Sequence, residues 1–103
     1  MKSGTGKGAG SRKGEAREVD LHLKSGYNST DAIERQLARF RGELDNAVRT
    51  GLKEIIFIHG VGSGRLKDEL RRTISDDYPS CSYHDASFSR YGFGGATVVV
   101  IGK

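Results

Sequence analysis

Two helical patterns, held apart by a short strand and a run of glycines, set the strongest limit on how this chain can fold. Ile55-Ile56-Phe57-Ile58 places four apolar, β-favouring residues in a row, which reads as a buried strand. Before it, Ile33, Leu37, Phe40, Leu44, Ala47 and Val48 recur at spacings of three and four, and Gly51 follows as a stop. That is one apolar face of a long helix. After the strand come His59 and the alternating Gly60, Gly62 and Gly64. A second helical spacing, Leu66, Leu70 and Ile74, then runs from about residue 64 to 77, and Pro79 forbids its continuation. A strand bracketed in this way belongs to a sheet covered by helices.

The remaining elements complete the pattern. Glu18-Val19-Asp20-Leu21-His22-Leu23 alternates polar and apolar, as a half-buried strand does. Lys24 to Asn28 is a loop, and Ser29, Thr30 and Asp31 offer helix N-caps. Ser80 to His84 reads as a third strand, Ala86 to Gly95 as a glycine- and aromatic-containing connection, and Ala96 to Ile101 as a fourth strand. The order is β-α-β-α-β-β. The first two strands, joined by a helix, should be parallel, and the last two an antiparallel hairpin. The expected fold is an α/β two-layer sandwich: a four-stranded mixed sheet with two helices.

Residues 1–17 are rich in Gly, Ser and Lys and hold no periodic apolar residues. They read as a flexible tail or linker ahead of a domain at 18–103. No apolar run approaches the roughly 18–20 residues needed to cross a bilayer. Met1-Lys2-Ser3-Gly4-Thr5-Gly6 lacks the apolar stretch of a signal peptide. The single cysteine, Cys81, excludes an internal disulfide and a cysteine-only zinc cluster. The expectation is a cytoplasmic protein without membrane association. The formal net charge of +4 leans toward a polyanionic partner. Most of that excess sits in residues 1–18, where Lys2, Lys7, Arg12, Lys13 and Arg17 face only Glu15 and Glu18. Any basic surface on the body must therefore be local.

Ligands of open α/β sheets bind beyond the carboxyl ends of parallel strands. Both such ends carry histidine here, His22 on the first strand and His59 on the second. Histidine suits proton transfer because its unperturbed pKa, about 6.5, lies near working pH. Asp20, two residues before His22, shares its face of the strand. It is suited to orienting an imidazole, to ligating a metal, or simply to pairing with Arg17. Asp20, His22 and His59 are thus the candidate catalytic residues. They are also the candidate ligands if a divalent metal such as Mg or Mn is used.

The glycine loop can bring backbone N–H groups to a phosphate. Gly60, Gly62, Ser63 and Gly64, with Arg65 and Lys67 at the start of the helix, are the candidate phosphate-binding residues. Two familiar phosphate motifs do not fit. The Walker pattern needs Gly-Lys-Ser/Thr where Gly64-Arg65-Leu66 stands, and the dinucleotide pattern needs a third glycine at Arg65. In the last connection, Arg90 and Tyr91 offer a cation and a flat face to a nucleobase. A core role for the aromatic residues there fits the sequence equally well.

Asp20-Leu21-His22, then His59-Gly60-Val61-Gly62, then Tyr91-Gly92-Phe93-Gly94-Gly95-Ala96-Thr97-Val98-Val99-Val100-Ile101 together resemble the Smr (small MutS-related) domain family over roughly residues 18–103. The resemblance implies a fold like the C-terminal domain of the third translation initiation factor. It also implies nucleic-acid binding and, as in several members, nicking of DNA or cleavage of RNA. The family's first motif maps onto Asp20 and His22, and its second onto His59, Gly60 and Gly62. The chain departs from the family at Leu23 to Asn28, a longer connection that would border the site.

Three functional classes follow. The first is a nucleic-acid-binding domain with endonuclease activity, taking DNA or RNA. The second is a non-catalytic module gripping phosphates with the same loop. The third is an interaction domain within a ribosome-associated or repair assembly.

Overall fold

The computed structural model describes residues 17–22, 29–60, 64–92 and 94–102. The elements run β1 (Arg17–Asp20), α1 (Ser29–Thr50), β2 (Glu54–Ile58), α2 (Arg65–Asp77), β3 (Ser82–Asp85), α3 (Phe88–Tyr91) and β4 (Ala96–Val100). The four strands form one sheet in the order β1-β2-β4-β3. β1 and β2 are parallel, while β4 is antiparallel to both β2 and β3. The expected mixed α/β sandwich is therefore the fold, with β4 inserted beside β2 and β3 moved to the edge. Arg17, the last residue of the expected tail, begins β1; the rest of that tail, residues 1–16, and the loop expected at Lys24 to Asn28 lie outside the described residues.

Alternation along the strands separates two faces. Val19, Leu21, Ile55, Phe57 and Val99 are buried under α1 and α2. The other face carries Glu18 and Asp20, aligned with Ile56 and Ile58, and beyond them Val98 and His84. Phe40 of α1 fills the middle of the core, edge-on to Phe57 at 4.7 Å and to Tyr78 at 6.5 Å. The two helices are tied to each other by Arg41 to Asp77 at 2.7 Å and by the Tyr78 hydroxyl donating to Asp45 at 2.6 Å. Burial and that carboxylate push the Tyr78 phenol up to about 12.

Helix ends follow local chemistry. α1 stops because Gly51 adopts φ 81°, which lets Leu52 N donate to Ala47 O and Gly51 N to Val48 O. α2 stops at Tyr78, immediately before Pro79. The connection between β3 and β4 holds a feature the periodicity does not announce, the single helical turn α3. The Ser87 carbonyl accepts from Arg90 N and Tyr91 N, and Gly92 ends the turn at φ 82°. Four residues are too few to show a helical period. Among the described residues, no helix is long and apolar enough to cross a membrane.

Candidate functional site

The parallel strands end side by side, and the ladder continues one step past β1 through Leu21 N donating to Ile58 O at 2.9 Å. Gln36 of α1 donates to the Leu21 carbonyl at 2.9 Å and fixes that end of the chain. His22 then turns back on Asp20. Asp20 Oδ1 accepts both the His22 backbone N–H at 2.9 Å and the His22 Nδ1–H at 2.6 Å. The His22 backbone donor first, and with it the imidazole, holds the Asp20 carboxyl below the usual carboxylate range. Both side chains are open to solvent, His22 at 63% exposure and Asp20 at 61%.

With Nδ1 occupied, His22 presents Nε2 to the glycine at the end of β2. A Cβ built on Gly60 would lie 3.2 Å from His22 Nε2 and 3.7 Å from Cε1. Gly60 also adopts φ 83°, a conformation that only glycine takes up readily. Its N–H is engaged within the fold, since Gly95 O accepts from Gly60 N at 2.9 Å and from His59 N at 3.1 Å. Gly60 therefore contributes an open surface and a turn, while its backbone donor serves the sheet.

His59 points the other way. It continues the Ile55, Phe57 side of β2 and lies only 9% exposed, against β4 and α2. Its Nδ1 meets Gly60 O at 3.0 Å and its Nε2 meets Thr97 Oγ1 at 2.8 Å. Burial holds its pKa below the ordinary histidine value. Arg71 and Lys67 act in the same direction, against the opposing pull of the Gly60 carbonyl and Asp85. The structure thus brings Asp20, His22 and Gly60 together at one rim and keeps both ring nitrogens of His59 inside the protein. Among the described residues, no group of three His, Cys, Asp or Glu side chains could hold a metal ion. The trio of Asp20, His22 and His59 does not present its donors to a common point.

The other candidates surround this rim. Gly62 and Ser63 lie outside the described residues. Gly64, at φ 85°, precedes α2, whose first residue Arg65 is exposed. Lys67 reaches Asp85 at 3.7 Å, and its Nζ lies 3.3 Å from where a Cβ on Gly94 would stand. Arg90 and Tyr91 are both held by Glu18 of β1. Arg90 lies 3.0 Å from Glu18 Oε2, the Tyr91 hydroxyl donates to the same oxygen, and the guanidinium sits 5.5 Å from the Tyr91 ring centroid. Burial first, and then Glu18, push the Tyr91 phenol up.

Three residues around His59 escape a reading of the sequence: Arg71, Thr97 and Asp85. Arg71 follows Lys67 by four residues and so shares its helix face, a signal that was present. Thr97 could not be found in this way, because its place opposite Phe57 depends on β4 pairing with β2.

A parallel strand pair ending in a histidine–carboxylate dyad, with glycine turns leading into a helix, defines a small α/β domain with a polar rim. The chain belongs to the Smr domain family, whose model matches residues 19–102. It is 32% identical over 100 residues, 96% of its length, to "Endonuclease MutS2" of Acetivibrio thermocellus. The protein of the same name from Alkaliphilus metalliredigens is 29% identical over 98% of the chain. These alignments take in only 11% and 12% of the relatives' own lengths, so the chain corresponds to about a tenth of each. The crystal structure of the Smr domain of Thermus thermophilus MutS2 superposes with a TM-score of 0.68 at 28% identity, covering 85% of this chain and all of that one.

Proposed function

We propose that this domain binds nucleic acid at the rim formed by Asp20, His22 and Gly60, and cleaves the phosphodiester backbone there. The observation that carries the reading is the pairing of Asp20 Oδ1 with His22 Nδ1 at 2.6 Å, which leaves Nε2 as the nitrogen turned to the rim. An imidazole oriented by a carboxylate is suited to taking a proton. Arg65 and Lys67 at the start of α2 supply positive charge for the backbone phosphate, next to Gly64; Gly62 and Ser63, assigned the same role from the sequence, lie outside the described residues. Arg90 stacked against Tyr91 supplies a flat cationic surface for a base. The names of the MutS2 relatives, which call those proteins endonucleases, support the same chemistry.

On RNA, His22 Nε2 takes the proton of the 2′-OH. The 2′ oxygen attacks phosphorus, the P–O5′ bond breaks, and the 5′ oxygen takes up a proton from water. On DNA no internal nucleophile exists and water must attack. One oriented histidine fits the RNA reaction more completely, so structured RNA is the preferred substrate class. His59, with both ring nitrogens engaged internally, is assigned the task of holding the loop.

The test incubates the chain with structured RNA and with supercoiled plasmid, with and without chelator. His22→Ala should lower RNA cleavage by about 10²–10⁴-fold, and Asp20→Asn should lower it less. Cleavage by His22→Ala at the parent rate contradicts the assignment. The internal engagement of His59 favours a second reading, a binding module without turnover in a repair- or ribosome-associated assembly. On that reading the parent binds but never cleaves, and His22→Ala changes affinity alone.

A further inference from the structure

Arg71, Thr97 and Asp85 gather around His59 without reaching the rim. Their hydrogen bonds fix where the imidazole carries its proton. The Gly60 carbonyl can only accept, so His59 Nδ1, 3.0 Å away, must be the donor. The Arg71 guanidinium can only donate, and its Nε and Nη2 both end on Thr97 Oγ1, at 3.2 and 2.9 Å. A hydroxyl oxygen has two acceptor positions and one proton. With the ring neutral and its proton on Nδ1, Nε2 can only accept, so the Thr97 O–H donates to His59 Nε2 at 2.8 Å while its oxygen accepts from Arg71. The fork is itself anchored, because Asp85 accepts from Arg71 Nη2 at 2.6 Å and the guanidinium lies 4.9 Å from the Tyr83 ring centroid. The charged groups facing His59 are Arg71 and Lys67 of α2, which disfavour a second proton, and Asp85 of β3, which favours one.

We infer that Arg71 and Thr97 are positioning residues that hold His59 as the neutral Nδ1–H tautomer, so that its N–H grips the Gly60 carbonyl and keeps Gly60 turned toward His22. The tautomer stands on these contacts alone, and its consequence for ligand handling rests on the function proposed above. Neither residue touches the substrate. Their effect passes through His59 and the one peptide that separates it from the rim.

Ring-nitrogen NMR on the whole chain, without nucleic acid, tests the first part. Near neutral pH His59 should show a protonated Nδ1 and an unprotonated Nε2, with a nuclear Overhauser contact between the His22 ring and the Gly60 α-protons. A proton on Nε2 overturns the inference. Thr97→Val removes the hydroxyl at nearly constant volume, and Thr97→Ser retains it. Thr97→Val should weaken the His22–Gly60 contact and lower affinity for a labelled hairpin RNA about tenfold, the scale of one buried hydrogen bond. The salt slope should not change, because no phosphate contact is lost. Thr97→Ser should restore both readouts. An unchanged contact and affinity in folded Thr97→Val overturns the positioning role. If Thr97→Val does not fold, Arg71→Lys, which keeps the charge and loses the fork, carries the same expectation. A parent chain that binds no RNA defeats the proposed function, while the tautomer and the His22–Gly60 contact still decide this inference.

Discussion

A single methyl group at position 60 probes the rim at the scale of one residue. Gly60→Ala asks an L-residue to hold φ 83° and places its Cβ 3.2 Å from His22 Nε2. The left-handed backbone alone costs about 1–2 kcal/mol. In a domain of this size that lowers the melting temperature by about 4–15 °C. Thermal denaturation should show that loss, and NMR should show the His22 ring displaced. Asp20 acts through protonation as well. Its folded pKa is depressed by the His22 backbone N–H, so its contribution is present above the unfolded value of 3.8 and is lost as pH falls below it. The dyad was legible in the sequence because residues two apart on a strand share a face. The inward turn of His59 was not, because a strand end gives no sign of which face its last side chain takes until the sheet partners are known.

At the scale of elements, α1 and α3 make different demands. Phe40 is fully buried between Phe57 and Tyr78. Phe40→Ala should cost about 3–5 kcal/mol, measurable as a shift of the urea midpoint at constant slope. α3 depends on Gly95, where a Cβ would stand 2.1 Å from the Tyr91 carbonyl oxygen. Gly95→Ala must therefore push α3 away from β4 and release Tyr91 and Arg90 from Glu18. Loss of the elevated Tyr91 titration in a spectrophotometric pH scan checks this. The long helices and the parallel strand pair were readable from spacing and chain order. The single turn of α3 and the insertion of β4 between β2 and β3 were not. The first is shorter than a helical period, and the second is a choice of partner that local residues do not encode.

For the whole molecule, folding couples to pH through His59. Its folded pKa lies below the unfolded value of 6.5, chiefly through burial, so the unfolded chain binds the extra proton first. Stability should be full above pH 6.5 and decline as pH falls through the interval beneath it. The slope is at most one proton, about 1.4 kcal/mol per pH unit. Urea titrations of the parent between pH 5 and 7.5 should show this decline, and Thr97→Val, which changes the same network, should alter it. Positive and negative side chains are nearly balanced over the described residues, and Lys67, Arg71 and Arg90 are paired with carboxylates. Nucleic-acid affinity should therefore fall with salt with the modest slope of a few phosphate contacts.

The proposed function requires a phosphate backbone to meet the protein where β1 and β2 end. The most direct measurement is a backbone and histidine NMR titration of the chain with a short hairpin RNA. The shifts should concentrate on Asp20, His22, Gly60 and Gly64 to Lys67, with Arg90 and Tyr91 following. Shifts confined to the β3 edge or to the outer face of α1, with the His22 ring unmoved, would contradict it.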